Sequence, residues 1–468
     1  MAQGETIVIP ILAEKDDSWA LRKMVFFLAL PAVGEQVLNT LVGLTDQFLV
    51  GHLDPAVAAQ LGYDRSMALA SVGLANLIAW ITMTLFMAVA AGATAIVARR
   101  IGEGETEQAN MALRQALLIA LVVGAIGSAF GMLLSEPILL ALGAEAQVAA
   151  IGASYLRILS LSFIPTALTF AGTAALRGAG DTRSPLYLMV VVNGINVLLA
   201  WLLVNGNLGL PGLGVDGSAI GATVARTVAA ILLVGLLLAK RMRLKVSWDL
   251  RPDGETIRKI LKIGAPAAGE QFIFQGAIII MTAFITGLGT AAMAAHTVTL
   301  SIESLSFLPG FGFAIAATTI VGQALGAKDP KLAERASWEA LRQGGLMMTL
   351  LGLLMAAWPA TVIAWFAPDP AVIAHAVGPL RLAGLGQPLL AMAFVLTGSL
   401  RGAGDTTWPL LMRVVSTWFV RVPILFALMW WSNWGLMGIW AAMVADFAVQ
   451  GFLSLWRFQM GAWKQIKL

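Results

Sequence analysis

Apolar residues follow one another in long runs along the chain, and short polar segments separate the runs. A run of ~20 apolar residues in an α-helix crosses ~30 Å of hydrocarbon, and a helix satisfies its own backbone hydrogen bonds. The pattern therefore predicts an all-α polytopic membrane protein with twelve transmembrane helices. The predicted spans are residues 24–50, 66–98, 110–134, 148–174, 184–205, 214–240, 258–288, 291–324, 333–366, 371–400, 408–431 and 434–457.

The composition supports this class. Only 12% of residues are charged and 59% are apolar, whereas a soluble domain carries about a quarter charged residues. The sequence contains no cysteine, which excludes disulfides, thiolate metal sites and a cysteine nucleophile. Its three histidines lie far apart in the sequence, so we expect neither a metal cluster nor a cofactor.

Basic residues fall almost entirely on one side of the predicted spans, and the opposite loops hold few, Arg65 and Arg381 being the exceptions. The positive-inside rule then predicts that both termini lie in the cytoplasm. The net charge of +4 reflects this topology, and we expect no nucleic-acid partner. The basic residues on the predicted cytoplasmic side include Lys15, Arg22, Lys23, Arg99, Arg100, Arg177, Arg183, Arg401, Arg457, Lys464 and Lys467.

An internal repeat divides the chain. Ala-Leu-Arg-Gly-Ala-Gly-Asp-Thr at 175–182 returns at 399–406 with serine in place of the first alanine, and Pro-Ala-Val-Gly-Glu-Gln at 31–36 returns as Pro-Ala-Ala-Gly-Glu-Gln at 266–271. Repeats of six spans each run parallel and predict two pseudo-symmetric six-helix lobes. The predicted parts are a cytoplasmic N-terminal segment at 1–23, an N-lobe at 24–240, a cytoplasmic linker at 241–257, a C-lobe at 258–457 and a cytoplasmic tail at 458–468.

With these motifs the chain resembles the multidrug and toxic compound extrusion (MATE) family, in its prokaryotic NorM and DinF branches. The likeness extends over residues 20–460 and includes the segments 294–296, 307–310, 318–326 and 212–217. It implies a V-shaped exporter in a bacterial or archaeal inner membrane, which expels cationic or amphipathic drugs in exchange for Na⁺ or H⁺. The expected partners are small molecules and membrane lipids, and we expect a monomer.

Two other functions remain open on the sequence. A lipid-linked oligosaccharide flippase of the same superfamily has more spans or a cationic cavity, whereas these spans carry few arginines. An intramembrane enzyme needs paired Asp-rich metal motifs or a Ser-His dyad, which the spans lack. The glycine-rich loops have no P-loop spacing, so an ion gradient is the expected energy source and no enzymatic activity is predicted.

Asp46 is the first candidate for cation coupling. It lies fifteen residues after Pro31 in span 1, and the DinF branch has a proline and a functional aspartate at this spacing. The resemblance also assigns Asn196 in span 5, but Ala200 stands where that branch has an aspartate. The sequence therefore leaves open how the N-lobe binds a cation, and a helix-capping role for Asp46 is the alternative.

Glu35, Glu270 and Glu303 are further candidates for cation coupling. A carboxylate removed from water binds a proton more readily, and with nearby polar oxygens it can hold Na⁺. In another branch a span 7 glutamate and a span 10 aspartate do this, but Phe274 and Leu390 occupy those places here. The alternative is that the repeated Glu-Gln pairs brace the starts of the helices.

The remaining polar residues of the spans and turns have expected structural roles. In the paired turns, Arg177, Asp181, Arg401 and Asp405 form the helix-turn motif, in which glycines permit a tight turn and the aspartates cap the next helix. Three further charges lie within the spans and are expected to form salt bridges between helices: Arg226, Arg421 and Asp446.

Overall fold

The computed structural model describes residues 18–239, 242–246, 251–432 and 434–468. Most of the predicted N-terminal segment, Lys15, and part of the predicted linker lie outside these described residues. The described chain is helical throughout most of its length, as the apolar runs predict.

The helices in chain order are α1 (Ser18–Gly51), α2 (Pro55–Gln60), α3 (Arg65–Gly102), α4 (Thr106–Ala141), α5 (Ala146–Ser160), α6 (Phe163–Gly178), α7 (Arg183–Val204), α8 (Gly214–Leu238), α9 (Gly254–Gly287), α10 (Thr290–Gly326), α11 (Pro330–Ala357), α12 (Pro359–Phe366), α13 (Pro370–Gly402), α14 (Thr407–Val414), α15 (Val422–Trp431) and α16 (Gly435–Gln459). A π-helix, Val415–Arg421, joins α14 to α15. Two 3₁₀ turns, Asn207–Gly209 and Ala462–Gln465, complete the regular structure among the described residues.

Among the described residues, eleven helical segments are long and apolar enough to cross a membrane, and counting the bent pair α5–α6 as one span gives twelve. The prediction of an all-α polytopic membrane protein is confirmed. The observed helices extend several predicted spans by a turn or more, as α3 does beyond residue 98.

Prolines lie at or close to the breaks in the spans. The axes of α5 and α6 differ by 50°, and Pro165 in the first turn of α6 has no N–H to donate to the carbonyl of Leu161. Pro359 begins α12 directly after α11 ends. Pro423 follows the π-helix by two residues, and the missing N–H again removes a regular helical hydrogen bond.

The described chain forms two compact units. The N-half unit comprises Gly34–Ala93 and Thr106–Leu261, and the C-half unit comprises residues up to Val33, Thr94–Glu105 and Lys262–Leu468. Helices α1 and α3 therefore contribute residues to both units. The predicted lobe boundaries at residues 240 and 258 stay a prediction.

Close helix packing in each unit depends on glycine. A Cβ at Gly217 of α8 would lie 2.6 Å from the Leu203 backbone of α7, and a Cβ at Gly398 of α13 would lie 2.5 Å from the Ala314 carbonyl oxygen of α10. Small residues at such positions let helix backbones approach within a membrane protein. This approach brings polar side chains of neighbouring spans within hydrogen-bonding distance.

Candidate functional site

The two repeated motifs of each half meet in an ion pair. Arg177 Nη1 lies 2.6 Å from Glu35 Oε1 in the N-half unit, and Arg401 Nη2 lies 2.6 Å from Glu270 Oε2 in the C-half unit. Both glutamates are at most 5% exposed. In each half the pair connects the first span to the end of the fourth, so Glu35 and Glu270 occupy equivalent positions in the repeat.

The C-half pair has an additional member. Arg413 Nη2 lies 3.7 Å from Glu270 Oε1, and its guanidinium faces the Phe274 ring at 5.1 Å from the ring centre. Glu270 therefore contacts two guanidinium groups, one on α13 and one on α14. Leu390, the other place where a branch of the family has an acid, is buried among apolar residues.

The glycine-rich loops are tight turns with a capping aspartate. Gly180 and Gly404 adopt φ values of 90° and 86°, a left-handed conformation that favours glycine. Asp181 Oδ1 accepts hydrogen bonds from the backbone N–H groups of Arg183 at 3.1 Å and Ser184 at 3.0 Å, at the start of α7. Asp405 accepts a backbone hydrogen bond from Trp408 in the first turn of α14, and it also pairs with Arg457, whose Nε donates to Oδ2 at 2.9 Å.

Asp46 is the centre of a buried polar group in the N-half unit. Its Oδ1 accepts hydrogen bonds from Asn196 Nδ2 at 3.3 Å and from Ser218 Oγ at 3.1 Å. The three residues come from α1, α7 and α8, and none is more than 4% exposed. Asp46 and Asn196, which the resemblance assigns together, therefore lie in contact. Ser218 completes the group; it directly follows the glycine-rich entry to α8, and no motif marks it in the sequence.

A partly buried arginine offsets the charge of Asp46. The positive charge of Arg226 on α8 attracts the carboxylate of Asp46, and Tyr155 of α5 lies within range of the same charge. Its Nη1 donates no hydrogen bond to any residue that the structure describes. Carboxylate, amide and hydroxyl oxygens around Asp46 can receive a proton or a hard monovalent cation, with Arg226 as a competing positive charge.

A second buried group lies in the C-half unit. Glu303 of α10 is 2% exposed and shares the field of Arg421, which forms a 3.5 Å ion pair with Asp446 of α16. The salt bridge expected for charges within the spans is therefore present here. The contacts of Glu303 differ from those of Glu270, whose carboxylate contacts Arg401 and Arg413.

A shallow apolar groove, widely open along its length, runs between α1 and α7 of the N-half unit. It consists of two adjoining pockets of about 800 and 690 Å³, which share Thr45, Val197 and Trp201. Its polar edges are side-chain amide, hydroxyl and imidazole groups rather than carboxylates. The other lining residues include Leu38, Leu41, Leu44, Gln47, Phe48, His52, Leu69 and Asn193.

The family model MatE matches residues 31–202 and 266–427, which are corresponding parts of the two halves. The chain belongs to the MatE family. The resemblance to the MATE family that the paired motifs indicate is confirmed. Family membership and the observed apolar helices together show that the chain is a multi-pass membrane protein.

Curated relatives extend along the whole chain. A protein of Thermotoga maritima named probable multidrug resistance protein NorM is 30% identical, with 96% of this chain and 95% of the relative covered. A protein of the same name from Rhodopseudomonas palustris is 28% identical, with 98% and 96% covered.

Solved structures have the same fold. A transporter of the MOP superfamily from Pyrococcus furiosus superposes with a TM-score of 0.87 at 22% identity, covering 99% of this chain and all of that one. A multidrug resistance transporter of the MATE family, solved in an outward-facing conformation, superposes with a TM-score of 0.85 at 22% identity, covering 95% and 97%. At this identity the likeness establishes the fold.

Proposed function

We propose that this protein is a secondary active multidrug efflux transporter, which exchanges cationic or amphipathic compounds for H⁺ or Na⁺ across the cell membrane. The observation that carries the exchange is the presence within the spans of two buried carboxylates, Asp46 and Glu303, for which the described residues provide no close ion pair of the kind that Glu35 and Glu270 form. Burying an ionised carboxylate costs several kcal/mol, so a protein that retains one in a span uses its charge. Its relatives named multidrug resistance proteins support the class of cargo.

Asp46 is the proposed coupling residue of the N-half unit. Asn196 and Ser218 donate hydrogen bonds to its carboxylate, and their side-chain oxygens are available to a bound cation. Binding of a proton or Na⁺ neutralises the carboxylate and weakens its attraction to Arg226. The electrostatic interaction among the polar groups of α1, α7 and α8 then differs between the cation-bound and cation-free states. Coupling requires such a difference, because a ligand shifts a conformational equilibrium only when it interacts differently with the two conformations.

Glu35 and Glu270 are proposed as braces rather than exchanging acids. Each carboxylate contacts an arginine at 2.6 Å, and a fixed positive charge at that distance opposes the binding of a further cation. The ion pairs support the bracing alternative that the sequence leaves open.

The groove between α1 and α7 is proposed to contact the transported molecule. The faces of Phe48 and Trp201 suit planar apolar groups, while Thr45, Gln47 and Asn193 offer hydrogen bonds. The lining carries no carboxylate, so shape and aromatic contact select the ligand there. Such a surface accepts many amphipathic molecules, as a multidrug transporter requires.

The deciding experiment is efflux of ethidium from proteoliposomes containing the purified protein, with the Na⁺ and pH gradients imposed separately. Efflux that follows one gradient supports the antiporter and identifies its ion. Efflux that follows neither gradient contradicts the proposal. A fluorescent lipid-linked oligosaccharide in the same vesicles tests the flippase, which the comparisons do not favour.

A further inference from the structure

The tail segment, residues 460–468, folds back onto the C-half unit after α16. Trp463 is fully buried in an apolar cluster with side chains of α10, α11 and α13. Its ring stacks on that of Phe458 with 4.9 Å between the ring centres, and its Nε1 donates a hydrogen bond to the Phe458 carbonyl oxygen at 2.8 Å. Lys464 Nζ lies 2.7 Å from Glu334 Oε2 of α11. The tail segment is therefore an integral part of this unit.

Arg99, near the end of α3, joins the tail segment to the turn between α13 and α14. Its Nη2 donates hydrogen bonds to the carbonyl oxygens of Ile466 at 3.2 Å and Ala403 at 3.3 Å. The side chain is 8% exposed, and hydrogen bonds from a charged donor are stronger than those between neutral groups. In the same place the side chain of Leu468 lies against Gly404. One buried guanidinium thus holds three segments that are distant in the sequence.

The end of α3 also packs closely on the end of α10. A Cβ at Gly102 would clash with the carbonyl oxygen of Gln323, and a Cβ at Gly326 would clash with the carbonyl oxygen of Arg99. Two glycines therefore let the two helix backbones touch. Residues 94–105 of α3 belong to the C-half unit, although the earlier part of the helix belongs to the N-half unit. The contacts of Arg99 accordingly hold the end of a helix that contributes to both units.

The internal repeat provides a counterpart in the N-half unit. Ala179 occupies the place of Ala403 in the repeated turn, and its carbonyl oxygen accepts a hydrogen bond from Arg243 Nη1 at 3.2 Å. Arg243 lies in the segment that follows α8, as the tail segment follows α16. In both halves an arginine therefore joins this segment to the turn. The N-half arginine belongs to the segment itself, whereas the C-half arginine belongs to α3, so the C-half contact also restrains a helix of the bundle.

We propose that the tail segment is a clasp, which through Arg99 holds the end of α3 in the C-half unit and so regulates when α3 can move. A transporter with two parallel repeats works by alternating between two arrangements of its spans. A contact that is made in one arrangement and lost in the other shifts the equilibrium between them. Movement of the end of α3 out of the C-half unit breaks both hydrogen bonds of Arg99. Arg99 is thus a positioning residue, and its part in transport rests on the proposed antiport.

The test measures the distance between spin labels by pulsed electron paramagnetic resonance in purified full-length protein. The labels are attached to Glu105→Cys, directly after α3, and Lys331→Cys, at the start of α11; both positions are exposed. Because the sequence has no cysteine, these are the two labelled sites. Arg99→Met keeps the apolar part of the side chain and removes the donors. We expect the population at longer distances to increase about tenfold or more, since two hydrogen bonds from a charged group are lost.

A second variant acts on the tail segment without changing α3. Trp463→Ala removes the buried ring that anchors the segment, and it should increase the same long-distance population. If Arg99→Met does not fold, this variant decides alone. Arg243→Met is the matched control, because it removes the equivalent hydrogen bond to the N-half turn. It should leave the distance between the labels at 105 and 331 unchanged.

A second pair of labels distinguishes release of α3 from loosening of the whole unit. Lys331→Cys and His375→Cys are exposed positions on α11 and α13 of the C-half unit, and their distance should stay the same in every variant. A clasp that only stabilises the unit would alter both pairs of labels equally, and this result would overturn the proposal. Unchanged distances between 105 and 331 in Arg99→Met and Trp463→Ala would overturn it as well, as would an equal effect of Arg243→Met.

The measurement needs neither a transported compound nor an ion gradient, so it is independent of the proposed function. Altered distances in a protein that shows no gradient-dependent ethidium efflux would contradict the antiporter and leave the clasp standing. Gradient-dependent efflux with unchanged distances in both variants would support the antiporter and overturn the clasp.

Discussion

Arg177 and Glu35 lie 142 residues apart in sequence and meet at 2.6 Å. Each belongs to a motif that the second half of the chain repeats, and the repeated copies, Arg401 and Glu270, meet at the same distance. The repeated motifs therefore make the same contact in each half. This contact is the basis of the first two predictions.

Removing one partner of the N-half pair should destabilise the protein. Arg177→Ala leaves the carboxylate of Glu35 buried without its cation, at a cost of about 3 kcal/mol. The unfolding midpoint of the purified protein in detergent should fall, and Arg177→Ala with Glu35→Ala should fall less than the two single changes combined. Additive effects in this cycle would show that the pair contributes no coupling.

The equivalent cycle in the C-half should show weaker coupling. Arg413 remains 3.7 Å from Glu270 when Arg401 is removed, and the Arg401 side chain is itself 35% exposed. Arg401→Ala should therefore lower the unfolding midpoint less than Arg177→Ala does. Adding Arg413→Ala should abolish this difference, and an equal loss in the two single variants would contradict the compensating role of Arg413.

The hydrogen bonds to Asp46 should set its cation affinity. Ser218→Ala removes the hydrogen bond that Ser218 donates to the ionised carboxylate of Asp46, which is worth about 1.5–3 kcal/mol. Because the ionised form loses a donor, the affinity of Asp46 for a proton should rise roughly tenfold or more. Asp46→Asn should remove most of the gradient-dependent ethidium efflux from proteoliposomes. Ser154→Ala, which removes the hydrogen bond to Asp216 of the same unit, serves as a control. Full transport by Asp46→Asn would exclude this residue from coupling.

The absence of cysteine from the sequence makes the predicted topology directly testable. Single cysteines at Glu105 and Glu145 lie in exposed connections at opposite ends of α4. A membrane-impermeant maleimide added to intact cells should label Glu145→Cys and not Glu105→Cys, because the basic residues at 99–100 predict a cytoplasmic connection. The reverse labelling would invert the predicted orientation of both termini.

Trp201 should influence which compounds are transported. Its indole lines both pockets of the groove, and loss of a stacking face weakens binding of planar ligands by about 1 kcal/mol or more. Trp201→Ala should raise the apparent KM for ethidium efflux several-fold, while Trp430→Ala, an exposed residue at the end of α15, should not. Equal effects of the two substitutions would exclude the groove as a contact surface.

Much of the fold is predictable because membrane insertion imposes strong local rules. A helix such as α8 can be read from its apolar run, since any non-helical backbone in lipid leaves unsatisfied polar groups. The breaks are harder to predict. Pro165 divides span 4, whereas Pro31 and Pro266 lie inside continuous helices, so a proline alone does not decide whether a span is interrupted.

The candidate sites divide in the same way. The spacing of Pro31 and Asp46 marks an acid in the sequence, but Ser218 has no such mark and only its contact with Asp46 identifies it. Likewise, the sequence predicts salt bridges for Arg421 and Asp446, but only the structure shows that these two residues pair with each other.

The sequence by itself determined the membrane class, the helical spans and the two-fold repeat, because hydrophobicity and motif spacing are local properties of the chain. Only the tertiary structure decided which buried charge meets which partner. Glu35 and Glu270 resemble exchanging acids until their arginines are seen at 2.6 Å, whereas Glu303 has no hydrogen-bonded partner for its Oε1 among the described residues. The reason is physical: the free energy of a buried charge depends on atoms within a few ångströms, and those atoms come from spans distant in sequence.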